Sequence, residues 1–541
     1  MRTLFAFLLS IIISISAISQ TVGTIDLDFD QVQEGYTLFS PLNSFETYLI
    51  NNCGEIVNQW VSTHTPGNEV FLDEEGRLWR AGKANVSDGI GAGGRGGVIE
   101  VFDWNGGLIW SMTRCNSLEC MHHDFKRLEN GNLLILVWDL YTAEEAIEAG
   151  ANPDLLNLDL GVWSEYLEEI NINLEVPGQF STVWQWHAWD HLVQDFDDSK
   201  PNFGDITSPN KINLNFNQEV HPDWLHANAI DYNEDLDQII LSIPHFDEFW
   251  IIDHDLSSTE ASGDAGDLLF RWGNPASYGE GTEADQQMFF MHNPHWVKSG
   301  LNYENQIIVF NNENVEDNVP TSSVDVINPS ILADGTYDLA EDNFLPENPE
   351  YRYFLSEDLA SHRVSSAQVL PNGNTLICSG VNATLIEINQ DEEIVWEYIS
   401  PVDVNNEGIE QGSDPDQVQF RWLWRGYKYT PDFEGFVGKD LTPTGYIETN
   451  SEDSFCEIVS VSESELENNI NIFPNPAKDW LNILYNSDIV ALEITSILGT
   501  TVFSEQPESQ KISVSGLQPG TYVLKLTHKD GSTAQVRFIK E

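Results

Sequence analysis

The chain reads as all-β: a six-bladed β-propeller over residues 20–455, followed by a small C-terminal β-sandwich over 470–541. Three observations predict it. Short alternating strands, broken by Asn, Asp and Gly turns, run from about residue 45 to 430. A strand that ends on tryptophan recurs through the same span, at Trp60, Trp110, Trp186, Trp272 and Trp396. Three histidines also stand at one register of successive units: His123 and His226 lie seven residues before Asn130 and Asn233, and His292 eight before Gly300. A fourth copy carries Ser365 seven residues before Asn372.

The repeating unit is a histidine or serine, a strand, an NGN-type turn, two further strands and the tryptophan strand. Its turns include EEG at 74–76, NGG at 105–107 and NGN at 130–132 and 372–374. Outward strands such as VIEVFD, EFWIIDHD and LIEINQD lie between them. Four short strands in roughly 40–50 residues are the signature of a propeller blade. Tryptophans at the strand ends read as packing between blades, with a few able to line an aromatic entrance. Insertions at 140–165 and 187–220 make the period uneven, and TAEEAIEAGANPDLLNL within the first reads as helix. After residue 430 the composition shifts. Residues 456–469 form a polar linker, and the strands LNILY, ALEITSILG, KISVSG, GTYVLKLTH and AQVRFIK form the sandwich.

At 541 residues, with 41% apolar residues and 17 Trp, the chain can bury a large core. Its 24 basic residues face 87 acidic ones, a net charge of −63. Such a surface repels nucleic acid and anionic membranes, so neither is a partner. The acidity serves solubility, with calcium binding by acidic loops as the alternative. Residues 1–19 read as a secretory signal: Arg2, an apolar run, and a small-residue cleavage site at Ala17-Ile18-Ser19. No later segment has the ~20 apolar residues of a membrane span. Export permits a disulfide between Cys115 and Cys120, with two unpaired buried thiols as the alternative, while Cys53, Cys378 and Cys456 have no assignable partner.

If the units are arranged radially, a shared register brings the three imidazoles to the axis. Histidine changes protonation near neutral pH and can act as a nucleophile, so metal binding, acid/base work and covalent catalysis are all open. Close metal-ligand spacings such as HExxH are absent, and His187 and His191 lie outside the register. The glycine-rich GIGAGGRGG at 89–97 lacks a phosphate-loop ending and reads as a flexible loop, with Arg95 as a rim cation. His64, His254 and His528 read as surface residues.

The segments HHDFKRLENGN, LHANAIDYNEDLDQIILS, DLLFRWGNP, HNPHWV with IIVFNN, and LPNGNTLICSG with EIVWEYISP together resemble the aryl-sulfate sulfotransferase family, in order from about 95 to 430. The resemblance implies an exported six-bladed propeller that needs no nucleotide cofactor. It would move a sulfuryl group from a phenolic sulfate donor to a phenolic acceptor by a ping-pong cycle. It maps the nucleophile onto His292 and the acid/base histidines onto His226 and His123, with His122, Asn228, His245 and Arg425 as substrate-binding residues. A surface protein that binds a phenolic or sulfated ligand without turnover, and a metal-dependent hydrolase, are the alternatives. The chain departs from the family where an arginine usually follows the HxN strand: here the residues are Ser242-Ile243-Pro244-His245, leaving His245, Arg421 or Arg425 to hold the sulfate. His292 follows Met291 where the family usually has glutamine. The C-terminal module, through Pro474-Asn475-Pro476-Ala477, Leu517-Gln518-Pro519-Gly520-Thr521-Tyr522 and Val536-Arg537-Phe538-Ile539-Lys540, resembles the sorting domain of type IX secretion substrates. That implies the type IX machinery as partner and a destination outside the cell or on its surface.

Overall fold

The computed structural model describes residues 20–85, 91–217, 222–316, 318–333, 335–340, 343–414 and 421–451, and in the C-terminal module 471–473, 477–478, 480–484, 489–496, 501–505, 511–517, 520–529 and 533–540. The expected signal peptide, the 456–469 linker, the motif residues 474–476 and 518–519, and the first two residues of the glycine-rich segment lie outside these. The chain divides into two compact units, Met1–Ser451 and Glu452–Glu541.

The first unit is a propeller built of antiparallel meanders. Taken from the innermost strand outward, the second sheet is Pro66–Leu72, Leu78–Lys83, Gly97–Phe102 and Leu108–Thr113, and the third is Glu119–Arg127, Leu133–Tyr141, Val162–Ile172 and Phe180–His187. The fourth is Ala229–Asn233, Gln238–Ile243, Glu248–Asp253 and Phe270–Trp272, and the fifth is His292–Trp296, Ile307–Glu316, Val319–Ile327 and Tyr351–Phe354. The sixth is Ser366–Val369, Thr375–Ser379, Thr384–Ile388 and Ile394–Ile399, with Gly23–Leu27 added at its edge. The first sheet joins both ends of the unit: Leu423–Tyr429 pairs with Tyr36–Pro41, which leads on to Glu46–Asn51 and Ile56–Val61.

Turn chemistry sets the meanders. In the Asp103 turn one carboxylate oxygen accepts from the N–H groups of Asn105 and Gly107 at 2.9 and 2.8 Å, and Asn389 does the same for Asp391 and Glu393 at 3.0 and 2.9 Å. Such side-chain mimicry of a backbone turn is why Asn and Asp punctuate the repeat. The predicted helical insertion is present as the helix Ala143–Ala149, capped by Thr142 and Glu145 in a capping box.

The tryptophan at the outer strand of each sheet has a specific partner. The indole N–H groups of Trp60, Trp110, Trp184, Trp272 and Trp396 donate to the carbonyls of Asp103, Val176, Leu256, Pro346 and Asn52, and Tyr351 donates its hydroxyl to Glu392. Each acceptor lies in the turn before the last strand of the next sheet, so the contacts run from sheet to sheet around a full circle. Trp60, Trp110, Trp272 and Trp396 are buried, giving each pin a large apolar body and one satisfied polar atom.

The inner strands are joined by a second circle. Arg425 on the closing strand donates from Nη1 to Glu69 at 2.6 Å and from Nη2 to Asp124 at 2.8 Å, linking three sheets. Asp124 accepts from the N–H of Ile230 at 3.0 Å, and Asp231 from that of Trp296 at 3.1 Å. The Val364 N–H, just before the sixth sheet, donates to His292 of the fifth at 3.2 Å, and the N–H of Ser365 completes the circle by donating to the carbonyl of Trp424 at 3.1 Å. The Cys115–Cys120 disulfide is formed, at the foot of the strand carrying His122 and His123. Cys53 is disulfide-bonded as well.

The second unit has a three-stranded sheet (Asn471–Phe473, Trp480–Leu484, Lys511–Ser513) and a four-stranded one (Thr501–Glu505, Ile489–Ser496, Gly520–His528, Thr533–Lys540). Leu481, Ile483 and Ile512 from the first and Leu492, Ile494, Leu524 and Phe538 from the second share one buried core. That is the packing of a β-sandwich. No helix among the described residues is long and apolar enough to cross a membrane.

Removing Arg425 leaves two buried carboxylates without their cation at the point of closure. Arg425→Met is expected to lower the unfolding free energy by about 3–5 kcal/mol, read from urea denaturation of the full chain. A change under about 0.5 kcal/mol would show that the closure does not depend on it.

Candidate active site

The inner strands are bent where they meet the axis. His123 (φ 51°), His226 (φ 53°), Asn68 (φ 94°), Asn293 (φ 56°) and Ser365 (φ 90°) all take left-handed backbone at matching points. Strand pairing slips at the same place, between Pro66 and Val70, between Met121 and Phe125, and between His292 and His295. A bulge redirects the side chain, here from the sheet face toward the axis. His292 is thus one residue out of register because Asn293 holds the bent position.

Five rings close a circle at the axis. His123 lies 4.8 Å from His226, His226 lies 6.2 Å from Phe290, Phe290 lies 6.0 Å from His292, and Trp424 stands 5.5 Å from both His292 and His123, between ring centres. His245 stacks on His226 at 4.9 Å and on Phe290 at 5.9 Å. The structure therefore brings the three register histidines together with two rings that their spacing does not announce. Apolar faces with imidazole nitrogens at their edges suit an aromatic ligand that bears a polar group.

Each histidine has a distinct second partner. His292 Nδ1 lies 2.8 Å from Asn312 Oδ1, and its Nε2 accepts from the N–H of Val364 at 3.2 Å. His226 Nδ1 lies 2.5 Å from Asp223 Oδ2, and Trp138 donates to the other Asp223 oxygen at 3.1 Å. His245 Nδ1 donates to the Asp223 carbonyl at 2.8 Å. His122 stacks face to face on Trp138 at 3.9 Å, and its Nδ1 lies 2.8 Å from Nδ1 of His123. Burial, reinforced by neighbouring imidazoles, holds the His123 ring well below the usual histidine range. Burial likewise lowers His292 to about 3 and His245 to about 4, so both are neutral near pH 7.

Behind His226 lie two buried carboxyls. Burial opposes ionisation of Asp223, but His226, then His245 and His122, hold its carboxyl below the usual range. Burial, and next the Asp223 charge, push Glu165 well above it. The two carboxyls are thus shifted in opposite directions.

Two expected substrate contacts are occupied otherwise. Asn228 donates to the carbonyl of Met291 at 3.0 Å and accepts from the Ser242 hydroxyl, so its amide ties the fourth sheet to the residue before His292. Arg425 is committed to Glu69 and Asp124 and lies against the Trp424 ring, 5.1 Å from its centre. Both side chains are thus partly committed to the scaffold, while Arg425 Nε is buried with no hydrogen-bond partner among the described residues. Arg421 is buried and donates to the Ser400 carbonyl at 3.1 Å.

The described part of the glycine-rich segment is a packed strap, which corrects its reading as a flexible loop. The Gly94 carbonyl accepts from the His123 N–H at 2.8 Å, and Gly96 donates to Met121 at 3.2 Å. A Cβ at Gly94 (φ +78°) would fall 1.9 Å from His123 Nε2, so the close approach requires glycine. Arg95 bridges to His122 along the backbone, and its Nη2 lies 3.4 Å from the Ala84 carbonyl. Among the described residues no three His, Cys, Asp or Glu side chains converge as metal ligands.

Sequence reasoning passed over Asp223, Phe290, Asn312, Arg363, Val364 and Trp424. Arg363 is exposed beside the circle, its guanidinium 5.9 Å from the Phe290 ring centre, and it makes no ion pair among the described residues. Asp223, three residues before His226, and Asn312, inside the IIVFNN segment, carried the nearest available signals.

Comparison with solved structures finds distant similarities. A crystal structure of a protein of unknown function from Bacteroides caccae is 12% identical, with a TM-score of 0.38, covering 73% of this chain and 99% of that one. The periplasmic gluconolactonase of Pseudomonas aeruginosa is 11% identical, with a TM-score of 0.34, covering 68% of this chain and 96% of that one. Similarity at this level says nothing about chemistry. A search of curated proteins returns no match. The family model of the secretion-system C-terminal sorting domain matches residues 471–541, which marks the protein for export to the cell surface or beyond. The arylsulfotransferase model matches residues 73–422, well over half of the chain, and spans His123, His226 and His292; this chain belongs to the arylsulfotransferase family.

Proposed function

We propose that the chain transfers a sulfuryl group from an aryl sulfate to a phenol through a covalent intermediate on His292. The observation that carries this reading is the Nε2 atom of His292, neutral at pH 7, at the edge of an aromatic circle and beside the Val364 N–H. In the first half-reaction the Nε2 lone pair forms an N–S bond as the S–O bond to the aryl oxygen breaks. The leaving oxygen takes a proton from His226, and the phenol departs. His292 then holds the sulfuryl group on Nε2 and keeps its proton on Nδ1. In the second half the acceptor phenol gives its proton to His226, its oxygen attacks sulfur, and the N–S bond breaks. Splitting the transfer in this way replaces one difficult displacement by two easier ones. Trp424 and Phe290 supply the faces between which a phenyl ring stacks.

The sulfate oxygens need positive charge and donors. With Arg425 neutralised by carboxylates and His245 uncharged, the groups that can turn to the sulfate are Arg363 and its chain neighbour's Val364 N–H, which leaves Nε2 as that lone pair bonds to sulfur. A guanidinium lying over Phe290 can swing onto a sulfate held at His292 while the aryl ring stays between the aromatic walls.

Purified full-length protein is expected to release 4-nitrophenol from 4-nitrophenyl sulfate when phenol is supplied, with His292→Ala lowering the rate by at least about 10³-fold. Release that ignores phenol would mean hydrolysis, and saturable binding without release would mean a binding protein. Arg363→Gln is expected to raise the donor KM roughly 10- to 100-fold, the loss of one charge-assisted contact, with Arg363→Lys recovering part of it. An unchanged donor KM in an active Arg363→Gln enzyme would remove Arg363 from the site.

A further inference from the structure

His292 and His226 are held in the same way by groups of different charge. The Asn312 amide nitrogen has two protons, and both are donated to carbonyls, those of Ser361 and Val364, at 2.8 Å each. Carbonyls have no proton to return, so the amide orientation is fixed and Oδ1 faces the ring. An amide oxygen only accepts. Nδ1 of His292 therefore carries the ring proton, and Nε2 carries the lone pair. The Asp223 carboxylate is oriented by the same logic, because the Trp138 indole that holds one oxygen can only donate, leaving the other for His226 Nδ1. Both partners are buried. One is neutral and the other is an anion.

Resting on the sulfotransfer reading above, we propose that these two positioning residues divide the labour: Asn312 holds His292 as a neutral nucleophile, and Asp223 makes His226 the proton carrier. An amide orients an imidazole without inviting a second proton, so the Nε2 lone pair stays available. A carboxylate at the same place would favour the imidazolium and cap the lone pair with a proton. At His226 the requirement is reversed, since that ring must hold an extra proton until the phenolate leaves. Asn312 has a further duty that a carboxylate cannot perform: its N–H groups tie the 361–364 loop, and with it the Val364 N–H, against the nucleophile.

The charged and titratable groups around each ring support the division. His292 faces His226, His123 and, behind Trp424, Arg425 with its two carboxylates; among the described residues no acid touches it. His226 faces Asp223, with Glu165, His122, His245 and His123 around the pair. When His292 accepts sulfur its ring becomes cationic, and Oδ1 of Asn312 already stands at the N–H that carries the charge.

Two variants in the full chain test this. In Asn312→Asp, donor kcat/KM is expected to acquire an acid limb, falling tenfold per pH unit below a raised His292 pKa, whereas the wild type shows no such limb above about pH 3 from this residue. In Asp223→Asn, turnover of phenyl sulfate, whose leaving oxygen needs a proton, is expected to drop roughly 10²-fold or more, and that of 4-nitrophenyl sulfate much less. A uniform loss across pH in Asn312→Asp, or equal losses on the two donors in Asp223→Asn, would reduce both residues to scaffolding. Should Asn312→Asp fail to fold, nitrogen-15 NMR of the wild-type histidines decides the point: Nδ1–H with a bare Nε2 on His292 from pH 5 to 8 is expected, and a proton on Nε2 would overturn the assignment. That spectrum needs no turnover, so failure of this inference and absence of sulfotransfer remain separate results.

Discussion

The pairing of Leu423–Tyr429 with Tyr36–Pro41 is the constraint on which the rest of the first unit depends. Strands nearly 400 residues apart must meet before the circle exists, and the loop entropy of that meeting is recovered only when closure is complete. Two side chains on the closing strand show what closure delivers. Arg425 joins Glu69 and Asp124, locking the closing strand to the second and third sheets. Its neighbour Trp424 enters the axis between His123 and His292, so the wall of the pocket and the lock of the ring are adjacent residues. A weakened closure would therefore loosen the site as well as the fold.

The second constraint is local. A β-strand alternates its side chains between two faces, and neither points along a propeller axis. The left-handed residues at 68, 123, 226, 293 and 365, with slipped pairing beside 68, 123 and 293, solve that problem one strand at a time. Backbone of this kind on residues other than glycine is strained, and persists where surrounding contacts over-determine it. Here they do: the His123 N–H is held by Gly94, that of Asn228 by Ser242, and Ser365 by Trp424. The strap at Gly94 belongs to this scaffold.

Much of this was legible in the sequence, for a physical reason. A repeat preserves whatever its geometry requires at each copy, so the bent position is visible as spacing to the next Asn-Gly turn: His123, His226 and Ser365 all obey it. His292 stands eight residues from its turn because Asn293 takes the bend. The tryptophan strands are legible likewise, since each must pin the next sheet. What the repeat does not require, it does not reveal. Asn312 comes from a second strand, Asp223 from a loop, Phe290 and Arg363 from connections, and each occurs in one sheet alone. No spacing rule reaches them. The scaffold bonds of Asn228 and Arg425 were not legible, because hydrogen-bond commitments are a property of the folded chain.

The remaining question is how a protein with a charge of −63 keeps its histidines neutral. Surrounding negative charge favours protonated imidazole, so the field of the molecule works against a nucleophilic His292. The two effects differ in range. Surface carboxylates act through solvent, where the Debye length is about 8 Å at physiological ionic strength. Desolvation acts at the ring itself, and His292 is buried with no acid in contact among the described residues. Local burial therefore overrides global charge at His292, His123 and His245, and burial outweighs even the neighbouring Asp223 carboxylate at His122. At His226 the Asp223 carboxylate is aimed at Nδ1. Proton chemistry in the pocket is set by single contacts within hydrogen-bond distance, which leaves the surface free to be as acidic as solubility outside the cell demands.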